Sequence, residues 1–193
     1  ETTDLILRGE NVSSSPLDIL FQVTAAGLPS ALGRAQVSQI ALAPEPFGLV
    51  GLNATKTIQF SCQPEAPYTL RLERDDPAAD GLALFETPAG LTNELVASTA
   101  SDLFIRGLQA SHQAHNLALV ISLGNQTLHH QPFTVVGIAF EPLTVLAEGL
   151  IWPMSVMLTP ADLGGDELVL RLQDPQDSGM VTFHNGSREL AIP

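Results

Sequence analysis

Thr3-Asp4-Leu5-Ile6-Leu7-Arg8-Gly9 returns 98 residues later as Ser101-Asp102-Leu103-Phe104-Ile105-Arg106-Gly107, and this recurrence governs the reading of the whole chain. Continued without a gap, the same offset sets Ser13 on Ser111, Asp18 on Asn116, Ile19 on Leu117, Phe21 on Leu119, Val23 on Ile121, Val37 on Val135 and Ile40 on Ile138. Further along it sets Ile58 on Val156, Phe60 on Leu158, Asp76-Pro77 on Asp174-Pro175 and Phe85 on Phe183. Leu70-Arg71-Leu72 meets Leu170-Arg171-Leu172 only at an offset of 100, so one loop has gained two residues. Self-similarity at a fixed period is the mark of a repeated structural unit, and the unit here is about 98 residues long.

Within the unit, apolar residues alternate with period two, as in Ile19, Phe21, Val23 and in Leu117, Leu119, Ile121. That is the pattern of half-buried strands. In the middle copy it predicts strands near 55–61, 68–73, 82–86, 93–97, 102–106, 116–123 and 131–140, separated by turns such as Asp80-Gly81 and Gly124-Asn125. Seven short strands between Gly, Pro, Asn and Asp turns predict an all-β chain of β-sandwiches. A helix over Leu28–Ile40 is the one competing pattern; Gly33 and the match of this stretch to the strand at Phe133 speak against it.

The stretches Thr3–Gly9 and Ser101–Gly107, the closing run Phe133-Thr134-Val135-Val136 and the G-x-V-x-F-x-x-G run Gly179–Gly186 resemble tandem immunoglobulin-like modules, of the bacterial Ig-like and Calx-beta-like kinds, in extracellular surface and fibre proteins. The resemblance implies seven-stranded immunoglobulin-like sandwiches, two repeats in the chain. The antibody-type Cys, Trp, Cys pattern is absent. If the closing strand ends near Phe140, residues 43–141 form one complete sandwich, residues 1–42 the C-terminal half of another and residues 142–193 the N-terminal half of a third. Such halves expose an open edge and half a core. They can meet within one chain, or a neighbouring chain can complete them; the alternative frame is two plain domains, 1–97 and 98–193. Intermolecular completion is a heterologous contact that does not close and so builds a filament.

Composition narrows the function. Hydrophobic residues make up 45% and charged residues 15%, which suits a packed interior. The net charge is −13 and Lys56 is the only lysine, so no basic footprint for nucleic acid exists. Cys62, the single cysteine, cannot form an intrachain disulfide, and beside a strand end it reads as a buried, inert thiol. No apolar run reaches the ~20 residues of a membrane-spanning helix; the longest, Phe133 to Leu150, is broken by Glu141 and Pro142. The chain starts at Glu1, which reads as processed or trimmed.

Four of the six asparagines stand in N-x-S/T sequons, Asn11, Asn53, Asn125 and Asn185, although with 27 Ser and Thr in 193 residues chance gives about one. N-linked glycans are therefore expected, on a secreted, eukaryotic protein. The acidic turns Asp75–Gly81 and Asp174–Gly179 occupy equivalent places, which makes Asp76, Asp80, Asp174 and Asp177 candidate calcium ligands, but no EF-hand or nonapeptide motif is present and tight turns use the same residues. His112, His115 and the His129-His130 pair suggest a metal. A hairpin at Gly124-Asn125, however, pairs His129 and His130 with Val120 and Leu119, roughly 15 Å along the strand from His115. Surface histidines, and no metal, is the better reading.

There is no G-x-S-x-G elbow, no phosphate loop and no H-E-x-x-H. Arg8 and Arg106 read as exposed or ion-paired strand residues, and Trp152 as a packing residue. The expectation is a non-enzymatic extracellular or cell-surface structural protein, a subunit of a glycosylated fibre or surface layer that partners with itself. The alternative is an adhesin or carbohydrate-binding segment of a larger cell-surface protein.

Overall fold

The computed structural model describes residues 8–23, 31–45, 47–140, 146, 148–173 and 181–192. None of them is helical. The strands in chain order are β1 (Ile19–Val23), β2 (Ala31–Ala35), β3 (Gln39–Ala43), β4 (Leu49–Gly51), β5 (Thr55–Gln63), β6 (Tyr68–Arg74), β7 (Leu82–Thr87), β8 (Gly90–Thr92), β9 (Glu94–Ala97), β10 (Ser101–Gln109), β11 (Leu117–Leu123), β12 (Gln126–Phe140), β13 (Val156–Thr159), β14 (Leu168–Arg171) and β15 (Glu189–Ile192). Residues 3–7, although a recurrence of β10 in sequence, and Asp174–Gly179 lie outside the described residues.

Two large sheets face each other. One runs β3-β5-β10-β7-β8; the other runs β13-β12-β11-β6-β9, with β4 added in parallel to β12. Alternation along each strand sends one set of side chains inward: in β5 Ile58, Phe60 and Cys62 are buried while Thr57, Gln59 and Ser61 are exposed. The inward sets of both sheets make a single core that includes Phe47, Ile58, Phe60, Tyr68, Leu70, Phe85, Ile105, Leu119, Ile121 and Phe133. Phe47 lies against Phe133 with ring centroids 5.3 Å apart, and Phe60 meets Tyr68 edge-on at 6.3 Å.

The strands expected in the middle stretch are all present, and two short ones, β4 and β8, join them. Over Leu28–Ile40 the described residues are strand and connection, not helix: β2 pairs with β1, and β3 begins at Gln39. Gly33 is needed there, because the Phe21 ring of the opposite strand occupies the place a β-carbon would take. The β11–β12 hairpin is also shifted. His129 faces Ile121 and His130 faces Val120, one residue from the expected register, because a bulge between Ile121 and Ser122 inserts an extra residue into β12.

Two small sheets are separate from these in their pairing. β1 pairs with β2, and β14 with β15. Their registers follow those of the large sheet. Ile19↔Ala35 through Val23↔Ala31 in β1–β2 corresponds, 98 residues on, to Leu117↔Phe133 through Ile121↔His129 in β11–β12. In β14–β15, Arg171↔Glu189 and Leu170↔Leu190 follow Arg71↔Glu94 and Leu70↔Leu95 of β6–β9. Both arginines bond the facing glutamate, at 2.6 Å for Arg71–Glu94 and 2.8 Å for Arg171–Glu189.

Candidate assembly interface

The recurrence extends to single atoms. The Ser13 N–H donates to the Val37 carbonyl at 2.9 Å and the Ser13 hydroxyl accepts from the Val37 N–H at 2.8 Å. Ser111 and Val135 repeat both bonds at 2.8 and 3.2 Å. Leu17 and His115, again 98 apart, are both held at positive φ, 52° and 56°. A β-carbon on Gly9 would strike Val37, and one on Gly107 would strike Val135.

Burial is where the copies part. Leu117 and Leu119 are 4% and 0% exposed, whereas their counterparts Ile19 and Phe21 are 39% and 41% exposed. Tyr68 and Leu70 are fully buried, whereas Leu168 and Leu170 are only half-buried, as are Val156, Leu158 and Phe183 opposite the buried Ile58, Phe60 and Phe85. Leu20, Leu32, Met157, Val169, Leu190 and Trp152 add to the exposed apolar surface. Such exposed apolar side chains make this a candidate interaction surface, since soluble monomers keep apolar patches small. Covering it contributes on the order of 1 kcal/mol for each half-exposed large side chain. Each small sheet also ends in an open edge: among the described residues β1 pairs only with β2, and β14 only with β15. Unpaired N–H and C=O groups along an edge are a template for another strand.

The four sequon asparagines all have exposed side chains. Asn53 sits at φ 60° between β4 and β5, Asn125 in the β11–β12 turn, Asn11 in a bend, and Asn185 in a turn where its side-chain oxygen accepts from the Ser187 N–H at 3.0 Å. The histidines are spread over separate carboxylates. His112 Nδ1 bonds Asp80, His130 Nε2 lies 3.0 Å from Asp75, and His115 Nε2 lies 3.3 Å from Asp166. Among the described residues, no three His, Cys, Asp or Glu side chains converge as metal ligands. Of the calcium candidates, Asp76 accepts from the Ala78 N–H at 2.8 Å inside its own turn, and Asp80 is engaged by His112. Asp174 and Asp177 lie outside the described residues.

Cys62 is buried in β5, and burial, with the nearby Glu65 carboxylate adding to it, pushes its thiol above the ordinary range. Arg8 pairs with Glu10 and Arg106 with Glu86, both at 3.6 Å and both exposed enough to contribute little. Trp152 is 48% exposed.

Sequence reasoning passed over one contact. The loop Pro160–Asp166 reaches back to the large sheets: Leu163 is 2% exposed, Gly164 lies against Ala114 and His115, and the Asp166 carboxylate fills the space beside Gly48. Lys56 is close by, bonding the Phe47 carbonyl and, at 2.9 Å, the Leu49 carbonyl. Burial lowers its pKa against the opposing pull of Asp166. The only sign of this loop in the sequence is the slip of the offset from 98 to 100 just after it. No family model matches the chain, and neither does any curated protein or solved structure.

Proposed function

We propose that the chain is a non-enzymatic, extracellular structural subunit made of immunoglobulin-like, seven-stranded repeats, and that copies join head to tail by completing each other's half-sandwiches into a fibre or surface layer. The observation that carries this reading is the contrast in burial at equivalent positions: Phe21 is 41% exposed where Leu119, its counterpart, is 0% exposed. In this reading residues 43–141 are the complete sandwich, to which the β3 strand Gln39–Ala43 adds along β5, residues 142–193 begin one and residues 1–42 finish one. Supporting it, the β1–β2 and β14–β15 ladders match two halves of one larger sheet, β12-β11 and β6-β9.

Glycans on Asn11, Asn53, Asn125 and Asn185 fit an extracellular surface, since all four side chains point to solvent. A net charge of −13 keeps laterally adjacent fibres apart. Electron microscopy of the glycosylated 193-residue chain, concentrated at physiological salt, tests the proposal. Unbranched filaments with an axial repeat of one or two sandwich lengths are expected. A monodisperse solution at every concentration would overturn it in favour of an adhesin segment, in which a foreign ligand covers the apolar faces.

A further inference from the structure

We infer that the joint between successive chains is an antiparallel ladder of β1 of one chain against β14 of the next, with Phe21 opposite Leu172; the inference rests on the head-to-tail reading. The large sheet supplies the template. Its order β12-β11-β6-β9 contains the ladder β11–β6, with Leu119 opposite Leu72, Val120 opposite Arg71 and Ile121 opposite Leu70. The terminal sheets hold the same strands cut at that ladder: β2-β1 is one half and β14-β15 the other. Each strand of these two-stranded sheets has a free edge among the described residues, and those of β1 and β14 are the counterparts of the two edges joined in the middle.

The register follows from the offsets. Phe21 stands 98 residues before Leu119, and Leu172 stands 100 after Leu72, so the joined sheet reads β2-β1-β14-β15 with Leu20↔Gln173, Gln22↔Arg171 and Val23↔Leu170. Two further observations favour a second copy of this chain as the occupant. Phe21 and Leu170, exposed or half-buried now, fall where Leu119 and Leu70 are fully buried. On the face that carries Gln22 no like charges meet despite the net charge of −13: Gln22 faces Arg171, which Glu189 already neutralises at 2.8 Å. Like charges directly opposite would oppose pairing.

The test mixes two chains with one added cysteine each, Gln22→Cys in one and Arg171→Cys in the other, both keeping the buried Cys62, and oxidises the mixture. Directly opposite residues in an antiparallel pair have α-carbons ~4.5–5.5 Å apart, within disulfide range. The expected result is a disulfide-linked dimer mapped by peptide mass to positions 22 and 171, at least about tenfold above the yield when Val169→Cys replaces Arg171→Cys, because a two-residue slip separates the thiols by roughly 7 Å more. The pair Leu20→Cys and Gln173→Cys, at exposed positions on the same face, repeats the test should either first variant misfold. Filaments without the 22–171 crosslink would overturn the ladder and leave head-to-tail assembly standing. A dimer from Gln22→Cys alone, showing β1 paired with β1, would overturn it as well. Absence of any assembly removes both.

Discussion

Gly107 has no room for a side chain: a β-carbon there would lie 2.5 Å from the Gly51 carbonyl oxygen and 2.9 Å from a Val135 methyl. Neither can move without disturbing the β4–β12 pairing, so Gly107→Ala is expected to cost about 1–3 kcal/mol, read as a lowered denaturation midpoint. Asp18 shows a different economy of contacts. It accepts from the Ser14 N–H at 3.0 Å, and its carboxyl is held below the ordinary value of 3.8 first by the Ser13 hydroxyl, with Ser14 and Ser15 adding to this and burial opposing it. A depressed carboxyl supports the fold above its unfolded pKa and loses that support as pH falls through the folded one. Ser13→Ala should therefore move the Asp18 midpoint, followed by NMR, back up toward 3.8. Cys62 titrates the other way. Its raised thiol, buried in β5, should resist a thiol-reactive dye at pH 8 and react fully once the chain is unfolded.

At the scale of elements, the paired serines carry the most information per residue. Ser111 is 0% exposed and bonds Val135 through both its N–H and its hydroxyl. Ser111→Ala leaves the Val135 N–H unmatched in the interior and should cost about 1–3 kcal/mol in urea unfolding. β5 was legible in the sequence because its alternation is uninterrupted and set by one buried face, and β11 from Leu117, Leu119 and Ile121, although the structure buries Ala118 and Val120 on its other face as well. The β11–β12 register was not, because a bulge leaves no signature when any residue can supply the extra position, and one inserted residue moved His129 from Val120 to Ile121. Nor was the Pro160–Asp166 loop, whose place against Gly48 and His115 depends on contacts between segments remote in sequence. At the apolar ends, the pattern Ile19, Phe21, Val23 told which side of β1 seeks cover, but the degree of exposure had to come from three-dimensional packing.

For the molecule as a whole, the proposed assembly turns on apolar cover rather than on charge. Phe21→Asp puts a carboxylate where a neighbour's core would close, and an unpaired buried charge is strongly unfavourable. The variant is expected to stay monomeric by analytical ultracentrifugation under conditions in which the parent chain polymerises. Its middle sheets should melt as before, since Phe21 contributes nothing to the core between them.

β12 would give the proposed assembly a mechanical character. Its 15 residues pair first with β11, then in parallel with β4, and finally with β13, so a single unbroken strand of roughly 50 Å runs from the central sandwich into the strands beyond it. A pull along the fibre would travel down that strand and load its flanking hydrogen bonds side by side, in shear, rather than peeling them open one at a time. Bonds loaded together in this way are expected to hold and then give way at once, as a rope does and a zipper does not.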